Sequence, residues 1–472
     1  MTAPATSGAF DNPMINIPST IFRAYDIRGV VSDQLTPDVV REIGRAFGSE
    51  CLERGQTAAV VARDGRLSGP DLVNALGEGI ASTGLDVIDI GMVPTPVLYF
   101  ATHHLGTGTG VMVTGSHNPP EYNGLKMVVD GGALFGDGIT ALYQRLMDGR
   151  LTEGDGKRSE ASVLDDYLDR IIGDVKLKRP MKIAFDCGNG IAGVAAPQLF
   201  ERLGCESSAL FVEVDGTFPN HHPDPAKVEN LKDIVETVTT NKLELGLAFD
   251  GDGDRVGVID DKGEIIWPDR QMILYARDVL SRKPGAKIIY DVKCSKLLPD
   301  AIKADGGDPE MYKTGHSFIK KRMKETGAQL GGEMSGHIFF KERWYGFDDA
   351  LYTAARLLEI LSADERSVSE IFAEIPNSVN TPEINIAFDV DGAHHEFMQK
   401  FVANSNFEGA DINTIDGLRA DFPDGWGLVR ASNTTPCLVV RFEAESDAAI
   451  TKIQKAFSDA MKAVDNSIEI PF

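Results

Sequence analysis

Cysteine is scarce and shows no pairing pattern. The five residues, Cys51, Cys187, Cys205, Cys294 and Cys437, are odd in number and never fall in a C-x-x-C spacing. That excludes a disulfide framework and gives no zinc signature. No apolar run approaches the ~18 residues that would cross a bilayer. Basic residues are outnumbered, 47 Lys and Arg against 71 Asp and Glu, for a formal net charge of −24. A chain of that sign is a poor partner for nucleic acid or an anionic membrane. The first twenty residues contain no Lys or Arg and no long apolar core. They read as a short disordered tail and not as a secretory signal, and a reducing cytoplasm is the expected location. G-x-x-x-x-G-K-[ST] does not occur, which disfavours nucleotide-using kinases.

The composition is globular, with 42% hydrophobic and 25% charged residues over 472 positions, enough for about three domains and a smaller fourth. One pattern occurs three times. An apolar run ends in Asp, a polar loop follows, then a helical stretch, a Gly and another apolar run. The copies run from Asp64 to Gly84, from Asp186 to Gly204 and from Asp291 to Gly306. Strand, crossover helix and strand make the βαβ unit of a parallel sheet. The expected fold is therefore α/β: three related α/β domains with mixed, mostly parallel sheets, then a C-terminal α+β domain. The expected boundaries are 1–161, 162–264, 265–376 and 377–472. Strand ends are where ligands bind in such sheets, so the three Asp ends are expected to face a shared cleft. The polar stretch 151–160 reads as a connection.

The strongest chemical signal is LGLAFDGDGDRVGVID, 245–260. Alternate residues of an extended chain point the same way, so Asp250, Asp252 and Asp254 can converge. The glycines between them let the backbone bend closely. Three uncompensated carboxylates repel, so a divalent cation is their natural partner, and crowding should raise the pKa of at least one. An EF-hand would need Gly and Glu where Arg255 and Asp261 stand. A phosphatase with an Asp nucleophile after a strand competes more seriously, although Thr or Val would be usual at Asp254. The second signal is GVMVTGSHNPPEYNGLKM, 110–127, where Ser116 ends a buried-type run before a Gly- and Pro-rich turn. An exposed serine becomes a nucleophile when a base or a metal activates it, and His117 is adjacent in sequence. No G-x-S-x-G elbow surrounds Ser116 or Ser335, which disfavours a serine hydrolase.

VTGSHNPPEYNGLKM, DGDGDR, GGEMSGH and RASNTTP occur in that order and resemble the four motifs of the α-D-phosphohexomutase superfamily. FRAYDIRG at 22–29 resembles the N-terminal motif of its phosphomannomutase/phosphoglucomutase branch. The resemblance implies a heart-shaped, four-domain molecule around a central cleft. It also implies reversible 1-phosphate to 6-phosphate interconversion of mannose and glucose phosphates, through a phosphoserine and a hexose 1,6-bisphosphate. By motif, Ser116 would be the phosphoserine. It would hold one Mg²⁺ per chain together with Asp250, Asp252 and Asp254. Glu333 and Ser335 would meet the sugar O3 and O4 hydroxyls, and Arg430, Ser432, Asn433 and Thr434 the phosphate that is not reacting. Arg28, Lys126 and His337 are the candidates at the reacting hydroxyl, while Tyr25, His117, Arg255, Lys293 and His316 contact the ligand. Met334 fits the mannose/glucose branch, where phosphoglucosamine mutases usually carry Gln. The hexose 1,6-bisphosphate would act as activator and sugar phosphates would be the partners. A monomer is expected, with a dimer as the alternative. Because one ligand would bridge Ser116 and Arg430, the last domain is expected to rotate over it.

Within the class, the alternatives are phosphoglucosamine mutase or a phosphoglucomutase with little mannose activity. Outside it stand a Mg²⁺-dependent sugar-phosphate phosphatase and a non-enzymatic sensor. Only a mutase needs a second phosphate grip, and a sensor has no need of Ser116.

Overall fold

The computed structural model describes residues 16–390, 392–433 and 435–472. Residues 1–15 of the expected disordered tail and Thr434 lie outside these residues, whereas the end of that tail is ordered, with Ile17 buried and a 3-10 helix over Ser19–Ile21. Among the described residues the chain forms four sheets.

The first sheet contains β1 (Ile27–Val30), β2 (Ala58–Arg63), β3 (Asp86–Met92), β4 (Gly110–Val113), β5 (Tyr122–Val129), β6 (Gly132–Ala133) and β7 (Arg158–Glu160), in the order β1-β5-β4-β2-β3-β7 with β6 beside β5. The second has β8 (Lys182–Asp186), β9 (Glu206–Leu210), β10 (Leu245–Phe249), β11 (Val256–Asp260) and β12 (Ile265–Ile266). The third has β13 (Lys287–Asp291), β14 (Asp308–Tyr312), β15 (Leu330–Gly332) and β16 (Ile338–Phe340).

Each of these three sheets contains the same four-strand unit. A first strand (β2, β8, β13) pairs in parallel with a second (β3, β9, β14) on one side and a third (β4, β10, β15) on the other. A fourth (β5, β11, β16) returns antiparallel to the third. The crossover helices are Gly69–Ala81, Ala196–Arg202 and Leu297–Ala304. The glycines after them, Gly84, Gly204 and Gly306, have φ of 99°, 80° and 79°. That left-handed geometry ends the helix and turns the chain into the next strand, and a side chain would strain it. The polar stretch 151–160 is more than a connection, because its end, β7, pairs in parallel with β3 as an exposed edge strand. An edge carrying the charges of Arg158 and Glu160 discourages pairing with another chain.

The first three units are packed as one body. A continuous buried apolar cluster runs from Val60 through Phe185, Phe249 and Tyr290 to Ile375. At their junction Tyr99 packs on Phe347, and Trp344 stacks on Tyr352 with ring centroids 4.0 Å apart. The last sheet, built from β17 (Val379–Asn380), β18 (Ile384–Ala387), β19 (Asp411–Asn413), β20 (Leu418–Phe422), β21 (Gly425–Ala431) and β22 (Cys437–Ala444), has its own core with the helices Ala393–Asn404 and Asp447–Val464. The apolar segments GWGLVRA and CLVVRFEA form β21 and β22, paired antiparallel.

The last domain is fastened to the third by buried charge. Arg419 donates to the carbonyls of Val292 (2.7 Å) and Cys294 (2.8 Å), and its guanidinium lies 3.8 Å from the Trp426 ring centroid. Arg441 reaches Asp269 at 3.2 Å, and Ser295 donates to Glu443 at 2.9 Å. Arg419→Ala strips two buried carbonyls of their donor and removes the cation from Trp426. We expect a loss of about 2–4 kcal/mol. It should be read as a lower thermal midpoint together with faster proteolysis between residues 376 and 383, where the last domain joins.

Candidate active site

Three of the four signature loops occupy the same place in the repeated unit, the turn between its third and fourth strands. Ser116 lies between β4 and β5, the Asp250–Asp254 loop between β10 and β11, and the Glu333–His337 loop between β15 and β16. Of RASNTTP, Arg430 and Ala431 end β21, and Ser432 and Asn433 follow it on the way to β22.

The aspartates that end the first strands brace these loops. Asp64 accepts from Thr114 Oγ1 (2.7 Å) and Gly115 N (3.3 Å), and Thr114 Oγ1 in turn accepts from Ser116 N at 2.8 Å. Asp291 accepts from Met334 N at 3.1 Å. In the second unit Asp186 holds His221 at 2.9 Å. Ser116 is buried, with φ of 50°. A non-glycine residue keeps that conformation only where its surroundings impose it. The main constraint is Arg66, whose guanidinium is buried and donates to four carbonyls of the loop. These are Ser116 (2.9 Å), Asn118 (2.6 Å), Pro119 (2.6 Å) and Tyr122 (2.9 Å).

Asp250, Asp252 and Asp254 are fully buried, and each offers an oxygen within 4.8 Å of the others. Asp250 Oδ1 accepts from the backbone N–H groups of Gly253, Asp254 and Arg255, at 3.0, 3.0 and 3.1 Å. Its other oxygen meets Arg255 Nε at 3.0 Å and Ser116 Oγ at 3.5 Å. Lys126, on β5 of the first domain, donates to Asp252 (2.7 Å) and Asp254 (2.6 Å). Thr95 adds a 2.6 Å bond to Asp252. Burial pushes the Asp250 carboxyl up, and the nearby Asp254 adds to this. For Asp252 burial acts the same way, but the Lys126 ammonium overcomes it and holds the group below the usual carboxylate range. Burial also works against the Lys126 charge, and the two carboxylates keep it protonated. One oxygen each of Asp252 and Asp254 is buried without a hydrogen-bond partner. Converging orphan carboxylate oxygens are the donor set a hard divalent cation takes, so these residues fit a metal. Gly251 lies so close to the Ser116 carbonyl that a Cβ would collide with it, and Gly253 has φ of 76°. The glycines thus let the acidic loop press against the serine loop.

Around this centre stand the other sequence candidates. Arg28 pairs with Asp26 at 2.5 Å, and it reaches Asn118 at 2.8 Å when that amide's oxygen faces it. His117 Nδ1 is 3.2 Å from Ser116 Oγ, and burial with Arg255 nearby holds its ring neutral. Arg255 also reaches Asp224 at 3.2 Å. His337 Nδ1 lies 3.1 Å from Asp348 and 3.6 Å from Asp254. Burial disfavours its charge, but the two carboxylates outweigh that and raise its pKa. His316 stacks on His337 with centroids 5.3 Å apart. Burial and Lys320 depress its pKa to about 4.

A second group faces the last domain. Glu333 is buried and accepts from Gly315 N, and burial raises its pKa to about 7. Ser335 is half-buried on the same turn. Tyr25 donates to the Thr314 carbonyl at 2.9 Å and accepts from Asn433, so it links the first, third and last domains. Lys293 pairs with Glu383 at 2.6 Å. Arg430, buried, is held by Asp416 at 3.0 Å. The Ser432 carbonyl lies 3.1 Å from His394 Nε2. The sequence reading missed Arg66, Thr95, Asp348, Lys320 and Asp416. Of these, Arg66 carried a signal, because it follows the first strand-end Asp by two residues.

The sequence matches phosphoglucomutase/phosphomannomutase alpha/beta/alpha domain I over residues 19–150, domain II over 165–263, domain III over 267–379 and the C-terminal domain over 383–460. It is 54% identical to a phosphomannomutase/phosphoglucomutase of Pseudomonas aeruginosa, over 97% of this chain and 98% of that one. It is 52% identical to a phosphoglucomutase of Neisseria meningitidis, over 96% and 99%. A crystal structure of a phosphoglucomutase/phosphomannomutase family protein from Burkholderia thailandensis superposes with a TM-score of 0.92 at 53% identity, covering 97% of this chain and all of the other. The chain belongs to the phosphoglucomutase/phosphomannomutase family, whose members are intramolecular phosphotransferases. No helix among the described residues is long and apolar enough to cross a membrane.

Arg66→Ala should lower kcat on the order of 10²-fold with KM little changed, because displacing the Ser116 hydroxyl from the acidic centre slows a chemical step that uses it. Arg66→Lys should recover little, since an ammonium has three protons for four carbonyls. Steady-state kinetics on folded variants checks both.

Proposed function

We propose that the chain interconverts hexose 1-phosphates and 6-phosphates, of mannose and of glucose, with Ser116 as the phosphoryl carrier. The observation that carries this reading is the Ser116 hydroxyl standing beside a buried three-carboxylate, two-cation centre, with a separate buried arginine site in the last domain. A phosphatase needs only the first of these. A mutase needs both, because its intermediate carries two phosphates.

In this reading the Ser116 Oγ–P bond breaks as a sugar hydroxyl oxygen bonds to phosphorus, and the hydroxyl proton leaves to a base. His337 is the proposed base, with Arg28 and Lys126 as the cations that stabilise charge developing on the phosphoryl oxygens. Mg²⁺, held by Asp250, Asp252, Asp254 and the Ser116 phosphate, would supply the remaining charge neutralisation. Lys126 and Arg255 keep the carboxylates oriented toward the serine. Glu333 and Ser335 would accept from and donate to sugar hydroxyls away from C2, which suits both mannose and glucose. Lys293 and His316 would line the sugar, with Tyr25 at its edge. Arg430, Ser432, Asn433 and Thr434 would hold the distal phosphate, Arg430 by charge-assisted bonds. The bisphosphate would then turn over in the cleft and return its other phosphate to Ser116. Added hexose 1,6-bisphosphate would activate by rephosphorylating the serine. The four-domain boundaries, with hinge rotation of the last domain at 377, belong to the same reading.

A coupled assay with glucose 1-phosphate and mannose 1-phosphate, with and without a hexose 1,6-bisphosphate, should show turnover of both sugars. Turnover with neither sugar phosphate would end the mutase reading. The purified protein should carry a phosphate mass on the peptide containing Ser116, and Ser116→Ala should lower turnover by several orders of magnitude. Excess chelator should abolish activity and Mg²⁺ should restore it; full activity in chelator would count against the metal. Arg430→Ala should raise KM and release more bisphosphate per turnover, measured by trapping the free intermediate.

A further inference from the structure

The segment 211–224, which follows β9 in the second domain, is built under strain. Phe211 and Phe218 have φ of 47° and 51°. A bulky residue adopts that left-handed geometry only where its surroundings impose it. The strand-end Asp186 supplies one constraint, holding His221 at 2.9 Å.

The main anchor is Asn189, buried in the loop after β8. Its backbone and side-chain polar groups all serve the segment. Its N–H donates to the Phe211 carbonyl at 2.8 Å, and its Nδ2 to the Glu213 carbonyl at 2.8 Å. Its carbonyl accepts from Asp215 N at 3.0 Å, and its Oδ1 accepts from Asn220 Nδ2 at 2.7 Å. At the far end of the segment the Pro223 carbonyl accepts from Gly251 N at 3.1 Å, and Asp224 meets Arg255 at 3.2 Å.

Between these ties the segment crosses to the first domain and lands on Arg66. The Arg66 guanidinium lies over the Phe218 ring, 5.3 Å from its centroid. A Cβ on Gly216 would come within 2.8 Å of the Arg66 Cα, and a Cβ on Gly65 would collide with the Val214 side chain. A guanidinium donates in its own plane, which leaves its face for an aromatic ring. Arg66 spends its donors on the serine loop, so whatever fixes Arg66 also fixes Ser116.

We propose that Asn189 and Phe218 are positioning residues for Ser116. Asn189 holds the segment 211–224 in shape, Phe218 holds Arg66, and Arg66 holds the serine loop. The effect on turnover rests on the proposed function; the mechanical coupling does not.

The test uses the full chain. Phe218→Leu keeps an apolar side chain and removes the ring from Arg66. It should lower kcat about three- to tenfold with KM little changed, and Phe218→Tyr should retain most of the wild-type rate. Asn189→Ala, which acts from within the second domain, should lower kcat in the same way. In an Arg66→Ala background Phe218→Leu should cost nothing more, because the ring acts through the guanidinium. A further, additive loss there overturns the proposal, and so does a lower thermal midpoint in Phe218→Leu with kcat unchanged. Hydrogen exchange at the amides of Ser116, Asn118 and Tyr122, which are bonded within the serine loop, reads the coupling without turnover. It should quicken in Phe218→Leu and in Asn189→Ala and stay at the wild-type rate in Phe218→Tyr. Unchanged exchange in Phe218→Leu overturns the coupling. Should Asn189→Ala fail to fold, the Phe218 variants decide alone. An inactive wild-type enzyme would sink the functional reading and leave the exchange measurement standing.

Discussion

Three carboxylates buried within 4.8 Å of one another are the constraint on which the rest of this molecule depends. Alone, such a group would protonate or unfold its surroundings, because burial and mutual repulsion both oppose ionisation. The loop that carries them cannot supply enough compensation by itself. Its three backbone N–H groups serve Asp250, and Arg255 serves the same residue. Asp252 and Asp254 depend on Lys126 from the first domain, and Asp252 also on Thr95 at the start of the helix Thr95–His104. From the other side, Arg255 bridges to His337 and the Gly253 carbonyl accepts from Ala350, both in the third domain. The charge problem of the second domain is thus solved by its neighbours, and solving it sets the three units in register around the serine.

The repeated unit explains why this arrangement was accessible. The turn between the third and fourth strands is a hairpin on the side where the parallel strands end, which is where α/β sheets bind ligands. The unit offers that turn three times, and each copy carries different residues: a serine, an acidic run, and a glutamate with serine and histidine. The shared backbone supplies direction and the residues supply chemistry. The strand-end aspartates support this division in the first and third units, where Asp64 and Asp291 each bind the backbone of the neighbouring signature turn.

Much of this was legible in the sequence, for identifiable reasons. The βαβ repeats showed because apolar runs, crossover helices and left-handed glycines are local features. Asp250, Asp252, Asp254 and Ser116 showed because their spacing alone indicates chemistry. The strand-end aspartates also showed, but as cleft-facing residues; their role as braces depends on which distant turn lies beside them. Arg66 holds carbonyls 50 to 56 residues away, and its place two residues after Asp64 does not say which distant turn it binds. Asp348 reads as one of two acidic residues before a helix, where Asp349 is the cap. Its place between two histidines exists only after the third sheet forms. The edge strand β7 was hidden because it is polar and lacks the alternation that marks a buried strand.

The last domain poses a different problem, since on the proposed reading it must hold a phosphate and also let it go. Its attachment to the third domain is dense, through Arg419, Arg441 and Trp426, whereas it meets the first through Tyr25 and Asn433. Arg430 does not wait unpaired: Asp416 binds its Nε, and the same Asp416 oxygen accepts from Thr314 N at 3.0 Å. A phosphate arriving at Arg430 therefore gains only the difference between its own bonds and those already made to Asp416. Pairing the guanidinium in advance avoids an uncompensated buried charge and lowers the net affinity. A grip so moderated suits a bisphosphate that has to leave Arg430, turn and return before it escapes. The same Asp416 ties Arg430 to Thr314, whose carbonyl accepts from Tyr25, so on the proposed reading loosening the grip and opening the contact to the first domain would be one event.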